Sequence, residues 1–144
     1  MTEPTQSQID QLTIAFERFT RRFKVAEAGA AMEHNLNALD VQALLFVEDH
    51  PGCSLGDVAR YLQVAMTTMS SAADRLVRRD MMERQRPEAN RRSVALTLTA
   101  KGKASVAGYM AGYGDACRAM LDPLDPEERI EFLRLTDKMA KYDI

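Results

Sequence analysis

Apolar residues recur along the chain with two different periods. From Gln6 to Glu33 the positions Ile9, Leu12, Phe16, Phe19, Phe23, Ala26 and Ala30 follow one another at alternating steps of three and four. That spacing places them on one stripe of a helix, as a heptad seam. A seam this long needs apolar cover along most of its length. Two sources of cover are open: other helices of the same chain, or a helix of a second copy. The pattern breaks at "EHNLNALD", where Asn37 with Asp40 three residues on reads as an N-cap and first-turn acid. A second helix is expected over about 38–49, burying Leu39, Leu44, Leu45 and either Val47 or Phe46, and ending at the Pro-Gly of "HPGC".

Ser54 and Asp57 form a capping box for a third helix, with Leu55, Val58, Ala59 and Leu62 as its inner face. The three residues "QVA" then turn into a fourth helix, about Met66 to Arg79, burying Met69, Ala73, Leu76 and Val77. Two helices joined by so short a turn have the layout of a helix-turn-helix. After Asp80 the period falls to two. Glu83 to Arg86 form one short strand, and Val94, Leu96 and Leu98 alternate along another, with "PEANRR" as the turn between them. A hairpin directly after a helix-turn-helix is a winged helix. Thr99 is placed to cap a fifth helix reaching about Leu121. Its Gly108, Gly112 and Gly114 cost stability in a helix; close helix packing is the first reading, with a kink or space for a ligand as the alternatives. Asp125, Pro126 and Glu128 start a sixth helix, which carries Ile130, Phe132, Leu133, Leu135 and Met139.

Composition agrees with this outline. A chain of 144 residues, 46% apolar and 28% charged, is sized for one soluble domain. No apolar run approaches the ~20 residues of a membrane span. The polar start, with no basic segment leading into an apolar one, gives the expectation of no signal peptide and a cytoplasmic location. Cys53 and Cys117 have neither metal-ligand nor disulfide spacing. His34 and His50 stand at helix ends beside acids, where caps or surface groups are the ordinary reading and a metal the lesser one. No nucleophile-base pair, phosphate-binding glycine loop or metal cluster argues for an enzyme, and no cofactor is expected.

Charge adds the main functional clue. Residues 75–92 hold seven arginines against three acids, a local +4 in a chain of net −2, which leaves the rest at −6. Positive charge is gathered on the fourth helix and the hairpin, where a winged helix meets nucleic acid. The outward face of the fourth helix offers Met66, Thr67, Thr68, Ser70, Ser71 and Asp74. Hydroxyls there can bond to phosphates or bases, and Met66 or the threonine methyls can touch thymine methyls. With no arginine at its centre, this face reads modestly or favours A·T-containing steps. Arg75, Arg78 and Arg79 follow, for phosphates or for internal pairs with Asp74, Asp80 and Glu83. Arg75 stands evenly between these two roles. Asn90, Arg91 and Arg92 lie at the hairpin tip, which has the size of a minor groove.

The segment "SLGDVARYLQVAMTTMSSAADRLVRRDMMERQRPEANRRSVALTLTAKG" resembles the central region of the multiple-antibiotic-resistance regulator (MarR) family of transcription factors. The features that carry the resemblance are Asp74-Arg75-Leu76, the wing and the Leu-Thr-x-x-Gly of Leu98 to Gly102. It is best from Leu36 to Gly102, and the flanking helices fit as well. The resemblance implies a mainly α fold with a small β-hairpin wing: one domain over 1–144, a winged helix-turn-helix lobe at 36–99, and N- and C-terminal dimerisation helices at 6–33 and 100–144. It implies a homodimer whose interface includes Ile9, Leu12, Phe16, Phe19, Leu124 and Leu133. It implies repression of a double-stranded, pseudo-palindromic operator with half-sites about 34–36 Å apart. It also implies relief by a small aromatic or phenolic effector. A pocket for one is expected from Phe23, Met32, His34, Phe46, Met110 and Tyr113, residues that serve equally as core. Arg92 matches the family's minor-groove arginine. Three positions differ from the family's habit: Asn90 replaces aspartate, Ser71 stands where arginine is frequent, and Ala65 replaces an acidic or hydroxyl cap. Oxidation-sensing members carry a cysteine near the start of the first helix, and this chain has none there. The alternative is a winged-helix module that meets an acidic protein partner without specific DNA readout.

Overall fold

A computed structural model describes residues 2–86 and 94–142. The order is α1 (Gln6–Glu33), α2 (Ala38–Asp49), α3 (Leu55–Leu62), α4 (Met66–Arg78), β1 (Met82–Gln85), β2 (Ala95–Leu98), α5 (Ala100–Leu121) and α6 (Pro126–Ala140). Local chemistry explains most of these boundaries. Reciprocal capping boxes start α2 at Asn37 and Asp40, α3 at Ser54 and Asp57, and α6 at Asp125 and Glu128. Each satisfies two backbone groups that a helix start leaves open. Thr5 and Gln8 make a fourth box on α1, at 3.2 and 2.9 Å. Asn35, with φ 54°, closes α1, and Gln63, with φ 56°, closes α3. Ala65 begins α4 without any side-chain cap.

The chain divides into two compact units, residues 25–111 and residues 1–24 with 112–144. The division falls inside α1 and α5 rather than at their ends.

The buried core lies entirely in the 25–111 unit. Val41, Leu44 and Val47 of α2 pack with Val58 of α3, Met69 and Leu76 of α4, and Met82 and Leu96 of the hairpin. This differs from the expected inner face of α2. Val41 is buried, whereas Leu39, Leu45 and Phe46 are half-buried. α2 is apolar on nearly every side, so its period alone did not say which side faces inward.

The hairpin is antiparallel, with Met82 opposite Leu98 and Gln85 opposite Ala95. β1 therefore begins one residue before the expected Glu83. Met81 and Met82 are both buried and carry the chain out of α4 into the strand. Cys53 adds an antiparallel bridge to Leu96, with Leu96 N–H donating to the Cys53 carbonyl at 2.8 Å. Burial raises the Cys53 thiol above its ordinary pKa, with Asp57 adding to the shift. A thiol held protonated in this way is a weak nucleophile.

At the start of α5, the Thr99 N–H donates to the Met81 carbonyl at 3.1 Å, and the Gly102 N–H donates to the Thr99 hydroxyl at 3.0 Å. A Cβ at Gly102 would lie 2.1 Å from the Met81 carbonyl oxygen, so only glycine fits this approach. Gly108, Gly112 and Gly114 behave otherwise. Among the described residues nothing lies within 4 Å of where their Cβ atoms would be, so the close packing expected of them is not made within this chain.

The other unit, residues 1–24 and 112–144, is built from the rest of α1 and α5 together with α6. It has no buried residue among those described. Phe16 meets Phe19 edge-on at 5.5 Å, and Phe23 lies 5.3 Å from Tyr113. Arg129 of α6 donates to the carbonyl of Leu121 at 3.0 Å. A cavity of about 480 Å³ is lined by Phe19, Met120, Leu124 and Phe132, with Arg18 and Arg22 beside them.

Candidate nucleic-acid interface

α4 is held so that one side is core and the other is bare. Met69, Ala72, Ala73 and Leu76 are buried, whereas Met66, Thr67, Thr68, Ser71, Asp74 and Arg78 are exposed. Ser70 is half-buried. The outward face is the one read from the sequence. The Ser71 hydroxyl donates back to the Thr67 carbonyl at 3.1 Å.

The arginines around this face divide into two groups. Arg75 turns inward, and its Nη2 donates to Oδ1 of Asp40 at 2.8 Å. Of its two open roles the fold realises the internal pair, but with Asp40 across the lobe rather than with a helical neighbour. Arg79 donates to the backbone carbonyls of His34 and Asn35, at 3.2 Å for His34, and its own carbonyl accepts from Lys101 at 2.9 Å. It fastens the end of α4 to the α1–α2 link and to α5. Arg84 of β1 pairs with Asp74 of α4. That hydrogen bond, reinforced by the charges of Arg84 and Arg78, holds the Asp74 carboxyl below its ordinary pKa. Arg78 stays exposed at the end of the reading face.

The sequence marked Asp40 only as a first-turn acid. Nothing local connects it to Arg75, which lies 35 residues away. Asn90, Arg91 and Arg92 lie outside the described residues. What is described is the base of the wing, where Leu96 and Leu98 are buried, Val94 is half-buried, and Arg84 is tied to α4.

The residues expected to line an effector pocket are placed as follows. Phe23 and Tyr113 face each other in the unit of residues 1–24 and 112–144. In the 25–111 unit, the His34 ring lies 6.0 Å from the Tyr109 ring, and the Phe46 ring lies 4.4 Å from that of His50 and 4.8 Å from that of Tyr61. Met32 and Met110 are exposed, at 80% and 55%. The Tyr109 hydroxyl is buried and has no hydrogen-bond partner among the described residues. Of the residues expected at a dimer interface, Ile9, Leu12, Phe16, Phe19 and Leu133 are exposed, and Leu124 is half-buried. Among the described residues no helix is long and apolar enough to cross a membrane, and no cluster of His, Cys, Asp or Glu could hold a metal ion.

A helix-turn-helix with a hydroxylated outward face, followed by a hairpin anchored to its second helix, defines a winged-helix protein. Residues 34–93 match the model of the MarR family. Proteins similar to this chain over most of its length are transcriptional regulators. The HTH-type transcriptional regulator YwhA of Bacillus subtilis is 21% identical over 127 residues, covering 88% of this chain and 91% of that one. A MarR transcriptional regulator from Methanosarcina mazei shares the fold with a TM-score of 0.74 at 20% identity, covering 92% of this chain and 95% of its own. BpsR of Bordetella bronchiseptica, whose DNA binding is regulated by 6-hydroxynicotinic acid, superposes with a TM-score of 0.65 at 25% identity, over 91% of this chain and 99% of its own.

Proposed function

We propose that this protein is a sequence-specific DNA-binding transcriptional repressor that acts as a homodimer. The observation that carries this reading is the bare, hydroxyl-bearing face of α4, fixed by Arg79 at its end and by Asp74 and Arg84 to the wing. A helix held this firmly with its outer face exposed is suited to a major groove. Met66, Thr67, Thr68, Ser70 and Ser71 would enter the groove, Arg78 would meet phosphate, and Asn90, Arg91 and Arg92 would reach the adjacent minor groove. Arg75, paired with Asp40, supports the lobe.

The exposed apolar side chains of Ile9, Leu12, Phe16 and Leu133 support a second copy as the cover for the α1 seam. Regulation of BpsR by 6-hydroxynicotinic acid supports a small aromatic effector that releases the operator here as well.

Fluorescence anisotropy with duplexes from upstream of the protein's own gene tests the reading. Binding should weaken steeply with salt, as expected when several phosphates are neutralised. Arg92→Ala should weaken it further, and light scattering should give a dimer. Salt-insensitive binding, no binding, or a monomer would count against the proposal.

A further inference from the structure

The first two turns of α4 lack the long side chains that make bidentate base contacts. α4 contains no Lys, Asn or Gln, and its two arginines, Arg75 and Arg78, both lie in its last turn. Arg75 is committed to Asp40, and the one acid on the face, Asp74, is committed to Arg84. The guanine pairing of arginine and the adenine pairing of asparagine or glutamine are therefore absent from the first two turns.

What that region holds is complementary to one base. Met66 is 52% exposed, and Thr67 and Thr68 are exposed beside it. Thymine alone presents both a methyl group and a carbonyl acceptor, O4, in the major groove. A threonine can satisfy both at once, its methyl packing on the thymine methyl while its hydroxyl donates to O4. Ser71 differs from these two because its proton already goes to the Thr67 carbonyl. Its oxygen is left to accept, and the partner that fits is an exocyclic amine, N6 of adenine or N4 of cytosine.

We propose that this protein selects its operator half-site through thymine methyl groups, read by Met66, Thr67 and Thr68, with Ser71 accepting from the amine of a neighbouring adenine or cytosine. The proposal rests on the DNA-binding reading above and adds the class of sequence that is bound.

The test is selection of bound duplexes from a randomised library by the full-length protein, followed by replacement of each enriched thymine with deoxyuridine, which removes only the methyl group. Enriched half-sites should place thymines under the start of α4. Each deoxyuridine there should weaken binding by about fourfold, the worth of one buried methyl. Thr67→Ser and Thr68→Ser keep the hydroxyl and the fold, and at least one of them should bind the thymine and deoxyuridine duplexes equally. A guanine-centred half-site, or thymines replaced without loss of affinity, would overturn the methyl readout and leave DNA binding intact. Failure to enrich any sequence would overturn both.

Discussion

Arg75 reaches across the winged-helix lobe to Asp40, its Nη2 donating to Oδ1 at 2.8 Å, while the other carboxylate oxygen of Asp40 accepts the Asn37 N–H at 3.1 Å. One buried carboxylate thus closes the capping box of α2 and holds the last turn of α4. The Asp40 side chain is 4% exposed and that of Arg75 34%. Removing the cation leaves a buried charge that only backbone answers. Arg75→Ala should therefore destabilise the fold by about 3 kcal/mol, the lower end for a broken buried pair because Arg75 is partly wet. Asp40→Asn should cost less, about 1–2 kcal/mol, since its amide oxygen still accepts the Asn37 N–H. Urea unfolding of the two variants measures the difference.

Tyr109 gives the opposite sign. Its buried hydroxyl has no partner among the described residues, so it keeps the cost of desolvation with no hydrogen bond in return. Tyr109→Phe should stabilise the fold by about 1 kcal/mol. Burial, with the charges of Asp40 and Glu27 adding to it, also raises the phenol above its ordinary 10.0. The folded chain therefore keeps this proton where the unfolded chain has lost it. Ionisation of Tyr109 therefore adds no further penalty below pH 10.0, and stability falls as pH rises from there through the folded value. Thermal melts at alkaline pH should fall less steeply for Tyr109→Phe than for the wild type.

Gly102→Ala should be among the most damaging small substitutions in the lobe. The added Cβ meets backbone, the Met81 carbonyl oxygen at 2.1 Å, and no rotamer change relieves it. Either the start of α5 or the link from α4 to β1 must move, at a cost of about 2–3 kcal/mol. A drop in Tm together with weaker operator binding is expected, because the same link positions the wing. An unchanged Tm would show that the approach is not needed.

Acid should loosen the lobe through two carboxylates. Asp57 is held below its ordinary 3.8 chiefly by the Ser54 N–H and hydroxyl. Asp74 is held below the same value chiefly by its hydrogen bond from Arg84. Folding depresses both values, so the unfolded chain binds these protons first. Their contribution is present above pH 3.8 and is lost as pH falls through the folded values. Circular dichroism from pH 7 to pH 2 should show a decline that includes that window, and Asp74→Asn should flatten the part of it that belongs to Asp74.

Much of this arrangement was legible beforehand. Three capping boxes, the change of period after Asp80, and the Pro-Gly stop after α2 are local signals, and local signals fix where elements begin and end. The bare face of α4 was legible because Met69, Ala73 and Leu76 leave only one side for Thr67, Thr68 and Ser71. The Cys53–Leu96 bridge was not legible, because it joins a turn to a strand more than forty residues away and no periodicity marks it. The start of β1 was one residue early for a related reason. Two adjacent methionines suit a helix end as well as a strand, and only Leu98 opposite Met82 decides between them.

The sequence by itself determined the elements, their order, the winged-helix layout and the segregation of positive charge, because spacing, caps and composition act over a few residues. Tertiary structure alone decided what each arginine does. Arg75, Arg79 and Arg84 look alike along the chain. Packing sends the first to a buried carboxylate, the second to two backbone carbonyls and the third to Asp74. A guanidinium spends its charge on whatever acceptor the fold brings within reach, and that distance is set by contacts between residues far apart in sequence.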